Sequence, residues 1–306
     1  MITNSLAISI VICTYNRADY IQEAMESLYN QTLVKNAFEV IIVNNNSSDN
    51  TEQVCTNFIA NHLDAEFYFV NEQLQGSSFA RNTGAKLSKS PLLCFMDDDA
   101  VAEKNYLQRI IHFFESNPNI GGLGGRIIPR YIPSEPIWMS YFVSSLVGNF
   151  DYAQTITEFS PNKYPLESNM IIRKDDFIAV NGFNTALPGV IGDFRIGGEG
   201  KEFFLKLKAI GKSIYYDPSI IVEHVVEIKK LTSEYLYRVA SGIGRGERVR
   251  TKEISNIAFI KKIIEYLFKL GASFILAVGY FLKGHPLKMK PIIQFRIDAL
   301  KGLLNY

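Results

Sequence analysis

The chain has 306 residues, 47% of them hydrophobic and 21% charged, with three cysteines and a formal net charge of +1. That apolar share supplies a sizeable core and excludes an intrinsically disordered chain, and the length suits one large α/β domain with an appendage. The charge is uneven: residues 230–306 hold 14 Lys and Arg against 5 Asp and Glu, leaving 18 against 26 elsewhere, so an acidic body precedes a basic tail.

The first hundred residues alternate between strand and helix. Ala7 to Cys13 is a continuous apolar run, as expected of a strand buried on both faces. Ile21, Met25 and Leu28 have helical spacing across 20–29, where Asp19 is a candidate cap. Phe38 to Val43 reads as a second strand, followed by a helix through Val54 and Phe58 that Ser48 or Asp49 would cap. Phe67 to Val70 is a third strand, Phe79 to Leu87 a helix and Leu92 to Met96 a fourth strand. Such alternation with short links implies a parallel sheet covered by helices, with ligands at the carboxyl ends of its strands. Those ends read Thr14-Tyr15-Asn16-Arg17, Asn44-Asn45-Asn46 and Asp97-Asp98-Asp99, all polar.

The middle of the chain is less regular. Asn105 to Phe114 reads as a helix, and the glycine run 121–125 as a flexible break before a short strand. Residues 129–166 hold five of the eleven prolines and the only tryptophan, Trp138, and read as a long loop or lid. A strand at 170–172, a helix at 174–180 ended by Gly182, a helix at 201–210, and two short strands at 213–216 and 219–222 around Pro218 follow. From Leu231 the tail is helical and basic. Within it, 263–282 is broken only by Glu265 and Lys269, and its charge-free stretch, Leu270 to Leu282, is short for a membrane span and more typical of an interfacial or buried helix.

Cys13, Cys55 and Cys94 are odd in number and not closely spaced. Disulfides and a zinc site are therefore not expected, which favours a reducing compartment. The N-terminus lacks the basic region of a signal peptide, and its apolar stretch reads as the first strand.

Three carboxylates at the end of one strand repel one another unless a cation or donors neutralise them. A hard divalent ion such as Mg²⁺ or Mn²⁺ would do so while bridging phosphates, whereas the alternative is a solvated acidic turn. His224, after another apolar strand, is a candidate ligand or a structural hydrogen-bonder. Glu199 and Glu202, three apart at the start of a helix, share a face and could serve as a general base, or simply complement the helix dipole. Arg81 can pair with phosphate or form a surface ion pair, and Trp138 can stack on a sugar or fill an apolar gap.

In this order and spacing, several segments resemble the family 2 glycosyltransferases, which have the GT-A fold. They are Ser9 to Arg17, Glu39 to Thr51, Ala80 to Gly84, the aspartate triplet, Glu167-Ser168-Asn169-Met170, Asn181 to Asn184, Gly198-Glu199 and Val222-Glu223-His224. The resemblance spans Ile8 to His224 and implies a Rossmann-like, mostly parallel mixed sheet flanked by helices, with a helical C-terminal extension. A catalytic domain would cover 1–229, with a nucleotide-binding half at 1–100 and an acceptor-binding half at 101–229. The basic extension would cover 230–306.

The resemblance also implies roles. Thr14, Tyr15, Arg17 and Asn44 would hold the nucleotide, with Arg81, Asp97 and Asp98 on the donor. Asp99 and His224 would hold Mg²⁺ or Mn²⁺, and Trp138, Asn169 and Met170 would face the acceptor. The implied reaction is single-displacement, inverting transfer from a nucleoside diphosphate sugar, a UDP-sugar first among them, to a hydroxyl of a glycan or lipid-linked acceptor. Two departures stand out. Asn44 replaces the usual Asp, and Glu199-Gly200 replaces a Glu-Asp pair whose Asp is commonly the base, so Glu199 or Glu202 would have to substitute.

A non-catalytic scaffold of the same fold is the competing reading, supported by Gly200. A nucleotidyltransferase is disfavoured, because no glycine-rich basic loop follows the first strand. Nucleic acid is not an expected partner. The tail fits either peripheral contact at the inner face of the cytoplasmic membrane, with the rest of the chain cytoplasmic, or a helical pair packed on the body or forming a homodimer.

Overall fold

The computed structural model describes residues 6–192 and 194–305. Two compact units emerge, one of Met1–Ile128, Phe150–Asn184 and Gly200–His224, the other of Pro129–Asn149, Thr185–Glu199 and Val225–Tyr306.

The first unit carries the expected alternation as β1 (Ile8–Thr14), α1 (Ile21–Tyr29), β2 (Phe38–Asn44), α2 (Thr51–Asn61), β3 (Glu66–Asn71), α3 (Ser77–Leu87) and β4 (Leu92–Asp97). It continues with β5 (Ala100–Ala102), α4 (Tyr106–Ser116) and β6 (Gly122–Tyr131). Beyond 150 come β7 (Thr157–Glu158), β8 (Asn169–Arg173), α6 (Lys174–Ala179), α7 (Glu199–Ala209) and β11 (Ile214–Val226). The nine strands form one mixed sheet in the order β3-β2-β1-β4-β8-β6-β11-β5, with β7 also paired to β11. β1 pairs in parallel with β2 and β4, and β8 runs antiparallel to β4.

Alternate residues of β1 feed opposite layers of core, as the period of two requires. Ile8, Ile10 and Ile12 pack with Met25, Leu28, Phe58 and Ile110. Val11 packs on the other face with Ala80, Ala85, Phe203 and Leu207. A Cβ on Gly84 would collide with the Val11 side chain, so this glycine sets how closely α3 lies on β1. Cys55 and Cys94 are fully buried, and all three cysteines are free. Burial pushes the thiols of Cys13 and Cys94 up to about 12. The helix starts differ in detail from expectation: α1 has no side-chain cap, so Asp19 does not serve there, while Asp49 Oδ1 accepts from the Thr51 N–H at the start of α2, 3.0 Å away.

Four expectations for the middle of the chain need correcting. The glycine run is not a flexible break, because 122–125 belongs to the ten-residue β6. A Cβ on Gly125 would strike the Ile220 carbonyl and the Asn169 amide, so here glycine marks a close backbone approach. The two strands around Pro218 are one, β11. Its neighbour changes from β7, at 215–216, to β5, at 222–224, on either side of the proline, whose missing N–H therefore breaks neither ladder.

Segment 129–166 is not an open loop, since Met139, Val143, Leu146 and Val147 enter the core of the second unit and Phe159 that of the first. Asn169 and Met170 do not face an acceptor: both are fully buried in β8. Asn169 accepts from Tyr106 Oη at 2.8 Å and donates to the carbonyls of Arg126 and Ile220 at 3.0 and 3.1 Å. It ties β8 to β6, β11 and α4. Asn169→Leu is expected to cost roughly 2–4 kcal/mol of stability by leaving these buried groups unpaired, measurable by urea denaturation.

The second unit contains α5 (Tyr141–Ser144), the hairpin of β9 (Gly189–Ile191) and β10 (Phe194–Ile196), and the helices α8 (Ser233–Ile254), α9 (Asn256–Leu282) and α10 (Met289–Leu304). The C-terminal helices share a unit with 129–149 and 185–199. A Cβ on Gly244 would meet the Leu303 backbone N at 2.6 Å, and one on Gly302 the Ser241 carbonyl carbon at 2.7 Å. Paired glycines let α8 and α10 approach backbone to backbone. Trp138 is half-buried and lines a cavity of about 410 Å³ with Leu231, Leu236 and Phe295.

Candidate active site

The carboxyl ends of β1, β2 and β4 lie side by side, because the parallel register pairs Thr14 with Asn44 and Cys13 with Asp97. Asn16 and Asn46, just past the first two ends, adopt positive φ of 54° and 67°, a conformation asparagine tolerates. Their side chains knit the loops together: Asn16 accepts from the Ser48 N–H and Asn46 donates to the Gln73 carbonyl. Thr14 is buried and Tyr15 half-buried. Asn44 donates to Asn71 Oδ1 at 2.8 Å and accepts from the Ser47 N–H at 3.1 Å, so both ends of its amide shape the loop.

The aspartate triplet is met by nitrogen-bearing side chains from three parts of the chain. Arg17 spans Asp98 and Asp99, at 3.7 and 3.6 Å. Arg81, from α3 and nearly buried, reaches Asp97 at 3.6 Å. His224 Nε2 lies 3.0 Å from Asp99 Oδ1 and 3.8 Å from Asp97 Oδ2. The histidine arrives because β11 runs antiparallel to β5 with His224 opposite Ala100, the residue after Asp99. One ligand atom each from Asp97, Asp99 and His224 lies within 4.8 Å of the others. Two carboxylates and an imidazole so gathered fit a divalent ion such as Mn²⁺ or Mg²⁺. The geometry brings Asp97, expected on the donor, into the same cluster.

Asp98 differs from its neighbours. Burial pushes its carboxyl up to about 7, with Arg17 opposing the shift and Asp99 adding to it. A folded-state pKa above the unfolded value of about 3.9 means that the folded form holds the proton more tightly. The stability this group contributes is full below about pH 4 and is lost as pH rises through 7. In chelator-treated protein, Asp98→Asn should therefore flatten that decline and gain on the wild type between pH 5 and 8 in thermal unfolding.

Residues 9–179 match the model of glycosyl transferase family 2. The chain belongs to that family. A curated family relative, the glucosyl-dolichyl phosphate glucuronosyltransferase of Haloferax volcanii, is 25% identical over 224 residues, covering 72% of this chain and 69% of the relative. The mannosyltransferase PcManGT of Pyrobaculum calidifontis, solved with GDP-Man and Mn²⁺, superposes with a TM-score of 0.69 at 16% identity, covering 98% of this chain and 88% of its own. TarS 1–349 of S. aureus with UDP gives 0.56 at 17% identity, covering 98% and 91%. These likenesses establish the GT-A fold, and family membership makes the chain a glycosyltransferase.

The two carboxylates expected as base sit on α7. Glu199 opens the helix and is buried. Glu202 pairs with Lys206 at 2.8 Å, one turn on. A third carboxylate, Glu167, carried no role in the sequence reading although its segment was part of the resemblance. It lies in the turn before β8 and accepts from the Gly200 N–H at 3.1 Å.

Proposed function

We propose that this chain transfers a hexosyl unit, with inversion, from a nucleoside diphosphate sugar to an acceptor hydroxyl, in the assembly of a surface polysaccharide or glycolipid. The observation that carries this reading is the Asp97, Asp99 and His224 cluster at the end of β4, flanked by Arg17 and Arg81. Thr14, Tyr15 and Asn44 line the adjacent ends of β1 and β2 and are assigned to the nucleotide. Asp97, Asp99 and His224 would hold the divalent ion, which would supply positive charge to the departing diphosphate. Arg17 and Arg81, which pair with these carboxylates, would be available to phosphate oxygens once a divalent ion neutralised the aspartates. The catalytic domain is assigned to 1–229 and the basic extension to 230–306. A UDP-sugar is the first donor to test, since the solved neighbours carry both UDP and GDP-Man.

A lipid-linked acceptor at the membrane surface is supported by the relative named for glucosyl-dolichyl phosphate and by α9, which is long and apolar enough by composition to enter a bilayer. The test is calorimetric titration of UDP, GDP, dTDP and CDP with and without Mn²⁺. One nucleotide binding only with metal is the expected result. No binding under any condition would overturn the reading in favour of a scaffold protein of the same fold.

A further inference from the structure

Gly200 follows Glu199 at the start of α7, and the structure shows what occupies the volume where its side chain would be. A Cβ built on Gly200 would lie 2.8 Å from Glu167 Cδ and 3.0 Å from Cγ, and closer still to Oε1. The Glu167 carboxylate therefore fills the space into which a side chain at 200 would grow, and its hydrogen bond from the Gly200 N–H holds it there. The glycine is not simply a deletion of function. Its missing Cβ is the condition for Glu167 to reach this point, so the two positions are sterically exclusive.

The sheet places Glu167 beside the donor site. β8 pairs antiparallel with β4, with Asn169 opposite Met96. The turn that enters β8, with Glu167 in it, therefore lies at the end of β4 that carries the triplet. The turn is fixed from two sides: the Asn169 N–H donates to the Leu166 carbonyl at 3.0 Å, and Pro165 packs where Gly124 of β6 has no side chain. Glu167 is half-buried.

Resting on the proposed transfer reaction, we propose that Glu167, rather than Glu199 or Glu202, is the general base. The acceptor O–H bond breaks, and its proton passes to the Glu167 carboxylate. The freed oxygen pair forms the bond to the anomeric carbon, whose bond to the β-phosphate oxygen breaks, with that electron pair leaving on the nucleoside diphosphate. The backbone N–H of Gly200 on Oε1 stabilises the charged carboxylate before the proton arrives and keeps it oriented. Glu202 is engaged with Lys206 one turn along α7, and Glu199 precedes the position that the carboxylate of Glu167 fills.

The test uses the full-length protein, Mn²⁺, and UDP-glucose, GDP-mannose, dTDP-glucose and CDP-glucose as probes. Release of nucleoside diphosphate to water is followed together with calorimetric nucleotide binding. Glu167→Gln is expected to lower turnover by about 10²–10⁴-fold and to remove the acid limb of the pH–rate profile, with nucleotide affinity unchanged. Gly200→Asp alone should lower the melting temperature, because the two side chains collide. In a Glu167→Gly background it should melt normally and recover at least tenfold in turnover over Glu167→Gly.

A Glu167→Gln protein that binds nucleotide and turns over at the wild-type rate overturns the assignment. So does a Glu199→Gln protein that alone loses turnover, or a Gly200→Asp cost that is the same in both backgrounds. Wild-type protein that binds no nucleotide overturns the proposed function, and this assignment with it.

Discussion

Asp99→Asn should weaken nucleoside diphosphate binding in the presence of Mn²⁺ by more than about 100-fold, since outer partners of a metal site alone are worth 10–100-fold. The expectation rests on geometry. Asp99 is almost fully buried, sits 3.0 Å from His224 Nε2, and shares Arg17 with Asp98. Asparagine keeps the shape and hydrogen-bonding reach of the side chain but removes the negative charge that a hard cation requires. The sign without metal separates this from a folding defect. A diphosphate approaching the bare site gains nothing from the Asp99 charge, so removing it should leave metal-free binding unchanged or slightly stronger. Calorimetry in Mn²⁺ and in chelator gives both values. Equal losses in the two buffers would mean that Asp99 shapes the nucleotide pocket and does not hold an ion.

Much of this site was legible because it lies at the ends of parallel strands. A strand buried on both faces writes itself as an unbroken apolar run, and the residue after the run is then the residue at the rim. Thr14, Asn44 and Asp97 were found in that way, and the segment resemblance added His224. What stayed hidden depends on antiparallel register or on space. The resemblance turned Asn169 and Met170 toward the acceptor, yet β8 enters antiparallel to β4 and buries both. Pro218 looks like a strand end, but it falls where β11 exchanges one neighbour for another. Glu167 gains meaning only from the volume beside Gly200, more than thirty residues away, and no local pattern encodes an absent Cβ. The tail misled differently. An apolar run over 263–282 does not say which side of the helix is covered, because a helix that is apolar all round has no preferred face.

The structure supplies that face. α9 is 27 residues long, longer than its charge-free stretch suggested, and only 17% of its most apolar window is buried. Tyr266, Ser273 and Ala277 turn inward, and α9 packs against α8 and α10. Opposite them Phe268, Ile275 and Leu282, each seven residues apart, are 78%, 77% and 78% exposed, with Ile257, Ile260 and Ile264 extending the stripe. Lys261 on α9, Lys283 just past its end and Lys290 at the start of α10 are exposed.

An apolar stripe with flanking lysines suits the surface of an anionic bilayer, where each basic residue contributes about 1 kcal/mol. Full burial of a large apolar side chain is worth about 1.5–3 kcal/mol. Immersing two such side chains halfway therefore contributes about 1.5–3 kcal/mol, a factor of roughly 10 to 100 in partitioning. Phe268→Glu with Ile275→Glu is accordingly expected to release the protein from phosphatidylglycerol vesicles by about that factor, with nucleotide binding in solution intact. Wild-type binding should weaken with salt and on neutral phosphatidylcholine. A wild type that ignores both vesicles but sediments as a dimer, which the double variant splits, would assign the stripe to a second copy of the chain instead.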